Sequence, residues 1–229
     1  GHARHIAGKL ENGVTVHNFY VPAGGDEPNR EKNEKFGQKL DYLTEMRDHF
    51  HAQKPEEAIL VGDLNIAPRE DDVWDHKKLL KIVSHTPIEV EHLAQVQDAA
   101  NWVDITRQDI PEGQIYSWWS YRSPDWDSAD TGRRLDHVWA TPDIAPAAGA
   151  VDTLRPSDFY KTDNATVVVR IDDAGLSILD NEDLVVQGLI TSLLVGCADS
   201  DDGADSGDSA MGCPDLAGLT FDTELPFVD

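Results

Sequence analysis

Residues 58–68, Ala58-Ile59-Leu60-Val61-Gly62-Asp63-Leu64-Asn65-Ile66-Ala67-Pro68, open with four apolar side chains and then turn polar. A short unbroken apolar run of this kind is the pattern of a strand buried on both faces. Asp63 and Asn65 follow at its C-terminal end, and Ala67-Pro68 begins a loop. Side chains two apart in a strand share a face, so a carboxylate and an amide would stand together at the sheet rim. One reading is chemical: an acceptor or base beside an amide able to donate to a phosphate oxygen. The other is a strand-ending turn, which Asp and Asn form readily with their own backbone. The stretch alone supports both.

Upstream, Phe36, Leu40, Leu43, Met46 and Phe50 recur at steps of four and three. That spacing predicts one buried face of a helix over about 29–53. Before it, Arg4 to Leu10 and Val14 to Tyr20 flank an Asn12-Gly13 turn, the signature of a hairpin. Pro22-Ala23-Gly24-Gly25 ends the hairpin in a loop. Downstream, helical patterns cover 73–83 and 88–100, and strands are expected over 115–121, 134–141 and 166–171. Short strands mixed with helices, without a repeat, predict a layered α+β or α/β domain.

The character changes after Asp173. The chain has 43 acidic and 19 basic residues, a net charge of -24. Residues 171–229 hold 14 acidic residues and no Lys or Arg, whereas 1–170 carry a net -10 and all of the His and Trp. We therefore expect a domain over 1–173 and an acidic, partly disordered tail over 174–229. Helices are expected within 176–197, while the Asp/Ser/Gly/Ala run 199–208 has nothing to bury. Leu194-Val195-Gly196-Cys197 is similar to a lipobox, but acidic Glu182 and Asp183 stand where basic residues belong. An amphipathic helix with an ordinary cysteine is the preferred reading. No apolar run reaches eighteen residues, so neither a spanning helix nor a membrane partner is expected. GHARHIAGKL at the start has no apolar h-region, so no signal peptide is expected. Both cysteines, Cys197 and Cys213, lie in the tail; their absence from the Trp-rich part suits a reducing cytoplasm. An acidic chain does not attract nucleic acid by net charge, so any polyanion site must be a local patch.

Three further motifs could carry chemistry. In Gly132-Arg133-Arg134-Leu135-Asp136-His137, Asp136 interrupts a strand pattern that is otherwise apolar on its face. A carboxylate there costs free energy unless it is paired or used, and a buried ion pair to Arg133 or Arg134 is the structural alternative. Tyr116-Ser117-Trp118-Trp119-Ser120-Tyr121-Arg122, followed by Trp126, interleaves aromatics with arginine, suited to stacking on bases or sugars and equally to core packing. Two adjacent Trp on opposite faces place at least one in the core. Asn18-Phe19-Tyr20-Val21-Pro22 ends a strand with a phenol that could face an oxyanion or simply pack.

Taken together, these motifs resemble the exonuclease III branch of the endonuclease/exonuclease/phosphatase superfamily. The matching stretches are HNFYVPAGG, ILVGDLNIAPREDDVW, YSWWSYR with Trp126, GRRLDHVWATP and RPSD, and the likeness runs from about residue 3 to residue 170. The resemblance implies a four-layer α/β sandwich and phosphodiester hydrolysis. Tyr20 is similar to the family tyrosine against the scissile phosphate, and Asp63 to the aspartate that orients or deprotonates the attacking water. Asn65 is similar to its amide partner on the phosphate, and Asp136 to the aspartate that pairs with the catalytic histidine. Asp158 corresponds to a metal-site carboxylate, Trp126 to the residue lining the abasic-sugar pocket, and Arg122 joins it as a substrate-binding residue. Mg²⁺ is the implied ion, with Mn²⁺ as a substitute, because carboxylates and water suit a hard cation. The implied partner is double-stranded DNA with abasic sites or 3' ends, bound by a cytoplasmic monomer.

The sequence departs from the pattern in two places. The family begins with a strand carrying Asn, a helix and a strand ending in a metal-binding Glu, and this sequence opens at the family's middle hairpin. The closing Ser-Asp-His reads Ser157-Asp158-Phe159, and no His follows His137. The expectation is therefore the fold without its N-terminal part, with hydrolysis by this polypeptide impaired. The alternatives are a superfamily phosphatase or phosphodiesterase acting on a small or lipid substrate, and a non-catalytic remnant.

Overall fold

The structure is a computed structural model that describes residues 4–10, 13–120, 126–154 and 166–171. The tail beyond 171, including the expected helices and the 199–208 run, lies outside the described residues.

The hairpin forms as expected: β1 (His5–Lys9) runs antiparallel to β2 (Thr15–Tyr20). Next comes α1 (Glu34–Gln53), capped by Asn33, whose side chain accepts from the Lys35 N–H. It starts later than expected: Asn29 first closes a turn, its side chain accepting from the Glu31 and Lys32 N–H groups, and Asn33 then caps the helix itself. β3 (Ala58–Asp63) follows, buried at every position. It lies parallel to β2, as a strand-helix-strand crossover allows. After β3 come α2 (His76–Leu79), α3 (Pro87–Ala99), β4 (Val103–Asp104), α4 (Ile105–Asp109), α5 (Trp126–Ala129) and β5 (Asp136–Ala140). A second, two-stranded sheet pairs β6 (Ala148–Leu154) with β7 (Thr166–Ile171). The main sheet has the order β1-β2-β3-β5-β4, with β5 antiparallel to β3.

Alternation along the central strands separates two cores. On one face Phe19, Leu60 and Trp139 pack with Leu43, Met46 and Phe50 of α1 and Leu93 and Val96 of α3. On the other, Ile59, Val61, Val138 and Ala140 pack with Ile105, Ile144 and Ala145, and Ala148 at the start of β6 closes on that group. The helix layer and the second sheet thus cover opposite faces of one sheet, the layered α/β arrangement expected.

Two expected elements are shorter. Residues 115–120 make a bridge of Trp118 to Arg133 and no strand. The N–H groups of Ser117 and Trp118 both point to the Arg133 carbonyl, which breaks a regular ladder. The helical pattern over 73–83 contracts to α2: Val73 bridges Arg133 and the Trp74 N–H donates to the Gly132 carbonyl, so the chain stays extended until Asp75 caps the helix. Elements β4, α4 and β6 carry no clear period and were not expected.

Candidate active site

Strand register assembles the site. Tyr20 ends β2 and lies directly opposite Asp63, which ends β3. Asp63 lies directly opposite Asp136, the first residue of β5. One cross-strand row therefore carries a phenol and two carboxylates on the face opposite α1 and α3. Asn18, two residues before Tyr20, shares that face. Asp63, Asn65, Asp136 and Asn18 are all buried, and Tyr20 is half-buried. Packed apolar residues of the second core lie behind this row on the same strands.

Backbone shape brings the row this close. Gly62 has a φ of 141°, and a Cβ there would lie 1.9 Å from the Phe19 carbonyl oxygen. The β2 backbone passes where a side chain would be, so β2 and β3 close tightly beside Asp63. Beyond it, Asn65 takes a φ of 52°, a conformation that Asn tolerates better than most residues. Its backbone N–H donates to Asp63 Oδ1 at 2.9 Å, and its Nδ2 donates to the Val21 carbonyl at 2.9 Å. The turn reading and the site reading of this stretch therefore coexist: the turn is what holds Asp63. In this structure the Asn65 side-chain amide serves the loop, and its backbone N–H serves the carboxylate.

Asp136 is held from behind. The N–H groups of Leu135 and Asp136 both donate to Ser117 Oγ, at 3.0 and 2.9 Å. Asp136 Oδ2 is buried without a hydrogen-bond partner among the described residues, as is Asn18 Nδ2. The structural alternative for Asp136 fails. Arg134 runs to Asp72 and Asp104, and Arg133 donates to Ser84 Oγ at 2.8 Å while lying over the Trp118 ring. Asp72 is fully buried and joins Arg107 as well as Arg134. His137 points away from the row: its Nε2 lies 2.8 Å from the Ile66 carbonyl and its Nδ1 3.2 Å from Arg134.

The electrostatics follow from burial. Burial pushes the Asp63 carboxyl up to about 7, against the Asn65 hydrogen bonds and the Lys39 charge, which pull it down. Burial and the facing Asp63 together raise Asp136 well above the usual carboxylate range. Burial and the Arg134 charge lower His137 to about 4. The row therefore favours partial protonation, or a cation, over two bare charges.

Of the other expected site residues, Arg122 and Asp158 lie outside the described residues, and Trp126 opens α5 with its side chain undescribed. Trp119 is buried against Tyr116, and Trp118 is half-buried. Ser117 and Asn18 were not singled out from sequence. Asn18 had a readable signal, the two-residue period from Tyr20; Ser117 had none beyond lying inside the Trp motif.

No curated protein matches the chain. Among solved structures, a 3'-5' exonuclease from Neisseria meningitidis is 27% identical with a TM-score of 0.64. A 3' phosphatase from Neisseria bound to a product DNA hairpin is 25% identical with a TM-score of 0.66. An AP endonuclease from Archaeoglobus fulgidus is 25% identical with a TM-score of 0.67. Each alignment covers 74% of this chain and 65% of the other, so the chain spans about two thirds of the length of these proteins. The family model described as Endonuclease/Exonuclease/phosphatase family matches residues 4–158, more than half of the sequence, and the chain belongs to that family.

Proposed function

We propose that the chain is a DNA phosphodiester hydrolase of exonuclease III type, a 3'-5' exonuclease and abasic-site endonuclease of base-excision repair. The observation that carries this is the row Tyr20-Asp63-Asp136 across three strand ends, with Asn65 gripping Asp63. Asp63 orients and deprotonates the attacking water, and its raised carboxyl suits proton acceptance near neutral pH. Asn65 fixes the Asp63 carboxylate, and Tyr20 faces a phosphoryl oxygen. Arg122 and Trp126 would hold the substrate.

Mg²⁺ fits the donor chemistry: the site offers carboxylate oxygens, and Asp136 Oδ2 is a buried acceptor with no partner among the described residues. Among the described residues no group of three or more His, Cys, Asp or Glu could hold a metal. The ion would rest on Asp136, on Asp158 outside the described residues, and on water, leaving Asp63 to act on the attacking water. When bound, it supplies positive charge against the phosphoryl oxygens.

A 3'-phosphatase is a second reading, favoured by the neighbour of that title bound to a DNA hairpin. In either case turnover is slow, because Phe159 stands where the resemblance has His, leaving Asp136 no imidazole to orient and the transition state one donor fewer.

The test uses an abasic-site duplex and a 3'-phosphate hairpin, titrated with Mg²⁺ and Mn²⁺, with Asp63→Ala as control. Slow, metal-dependent cleavage that Asp63→Ala abolishes is expected. Cleavage that persists in Asp63→Ala, no cleavage at all, or a preference for inositol phosphates over DNA overturns the reading. Rapid cleavage that Asp63→Ala abolishes overturns the impairment alone.

A further inference from the structure

Beneath the candidate site lies an ion pair that the proposed chemistry does not use. Lys39, in the second turn of α1, and Glu89, in the first turn of α3, are both fully buried, with Nζ 2.6 Å from Oε1. The ammonium also donates to the Asn65 carbonyl at 2.8 Å and to the Ala23 carbonyl at 3.3 Å. An ammonium has three N–H donors, and all three are placed. Glu89 is equally occupied: it accepts from the Ser84 N–H at 3.0 Å, the Thr86 N–H at 3.2 Å and Thr86 Oγ1 at 2.6 Å. Together with the capping box at Thr86, these contacts leave neither charge spare.

We infer that Lys39, anchored by Glu89, is a positioning residue for the candidate site, tying the loop after β2 to the loop after β3 and so fixing Asn65 on Asp63. The inference rests on the proposed reading of Asp63. Ala23 belongs to the loop that follows Tyr20, and Asn65 to the loop that follows Asp63, so one ammonium links the two strand ends that carry the row. The carbonyl it takes belongs to Asn65 itself, the residue in left-handed conformation whose N–H grips Asp63. Gly24 makes room for this. It has a φ of 90°, and a Cβ there would come within 2.9 Å of Lys39 Cδ.

Stability alone does not account for the pair. Desolvating two charges roughly cancels their attraction, and apolar replacements of similar shape are often as stable. What an apolar pair cannot supply is a donor aimed at two loop carbonyls. Without it, the Asn65 carbonyl loses its tether from below, while Asn65 keeps its contacts to Val21 and Asp63 and its neighbours Leu64 and Ile66 keep theirs to Leu135 and His137.

The experiment compares wild type, Lys39→Met, and Lys39→Met combined with Glu89→Gln by NMR. The double variant removes both charges while keeping the side-chain shapes, so no unpaired charge is left buried and it is expected to fold, with a melting temperature lowered by the two loop carbonyls that lose their donor. The Asn65 backbone amide, whose proton reports the bond to Asp63, should shift and exchange about ten-fold faster or more, while the Leu60 amide stays unchanged. An Asn65 amide unaltered in a folded variant overturns the inference. Should neither variant fold, wild type decides: slowly exchanging Lys39 ammonium protons with cross-peaks to Ala23 and Asn65 support it, and their absence overturns it. Where wild type cleaves DNA, the double variant should lose kcat by about ten-fold or more with KM little changed; unchanged kcat overturns the positioning role. A wild type that cleaves nothing sinks the proposed function, yet the Asn65 amide still decides this inference.

Discussion

At Gly62 a single hydrogen atom permits the site. Its backbone lies so close to β2 that a methyl group would overlap the Phe19 carbonyl oxygen at 1.9 Å, at a φ that side chains rarely adopt. Gly62→Ala must part β2 from β3 beside Asp63 or forfeit folding, a cost of about 4 kcal/mol or more. Gly8→Ala is the contrast, because nothing lies within 4 Å of its added Cβ; it should melt as wild type does. Thermal melts and soluble yields of the two check this, and a Gly62→Ala protein that melts like Gly8→Ala would show that the strands are not so closely apposed. At this scale the sequence was partly legible. Asp63 and Asn65 stood out because polar residues ended an apolar strand, and Asp136 because it broke one. Lys39 falls between Phe36 and Leu43 on the buried face of α1, so its placement was readable too. Its partner was not: Glu89 lies 50 residues away, and no local pattern joins them.

The β1-β2 hairpin carries the clearest response to acid. His5 and His17 meet at 3.1 Å between ring nitrogens, His5 stacks on Phe19, and His49 of α1 meets the His5 ring edge-on. Burial, with the neighbouring histidines adding to it, lowers His5 to about 3 and His17 to about 4. Both lie below the ordinary value near 6.5, so the unfolded chain takes up protons that the folded chain refuses. These histidines cost nothing above pH 6.5, and stability is lost as pH falls from there towards 4. The raised Asp63 works in the opposite direction over part of that window, so the wild-type profile alone does not isolate the effect. The difference between wild type and His17→Phe does: the variant should gain on the order of 2 kcal/mol relative to wild type between about pH 7 and pH 5. Denaturant melts at the two pH values measure it, and a difference independent of pH would mean that His17 titrates normally. Elements with a strong local period, such as this hairpin, α1, β3 and α3, were legible in the sequence. Residues 115–120 were not, because whether an aromatic run forms a strand depends on what Arg133 and Gly132 offer from across the fold. β4 and β6 gave no signal, since two-residue pairing and a bulged strand leave no period to read.

The order β1-β2-β3-β5-β4 places next to β3 a strand that begins more than seventy residues after β3 ends, and no periodicity announces such a pairing. Only the shared polar interruption, Asp63 in one strand and Asp136 in the other, hinted that the two belong together. Across the whole chain the dominant physical fact is a net charge of -24. Many of the described cations are already committed: Lys39, Arg107 and Arg134 are buried in ion pairs, and Arg30, Arg47, Arg69 and Lys78 are paired nearer the surface. Excess negative charge repels itself, and the compact state suffers more than the expanded one. Salt screens that repulsion, shortening its range from roughly 30 Å at about 0.01 M to roughly 8 Å at about 0.15 M. The Lys39–Glu89 and Asp72–Arg134 pairs, having no exposure to screening ions, are left nearly as strong. Surface pairs of Arg30, Arg47 and Lys78 are weakened, but such pairs contribute little to begin with. The melting temperature should therefore rise as NaCl increases over that range. A melt followed at fixed pH decides the sign, and a falling melting temperature would mean that the surface ion pairs, rather than the net charge, govern the stability of the molecule.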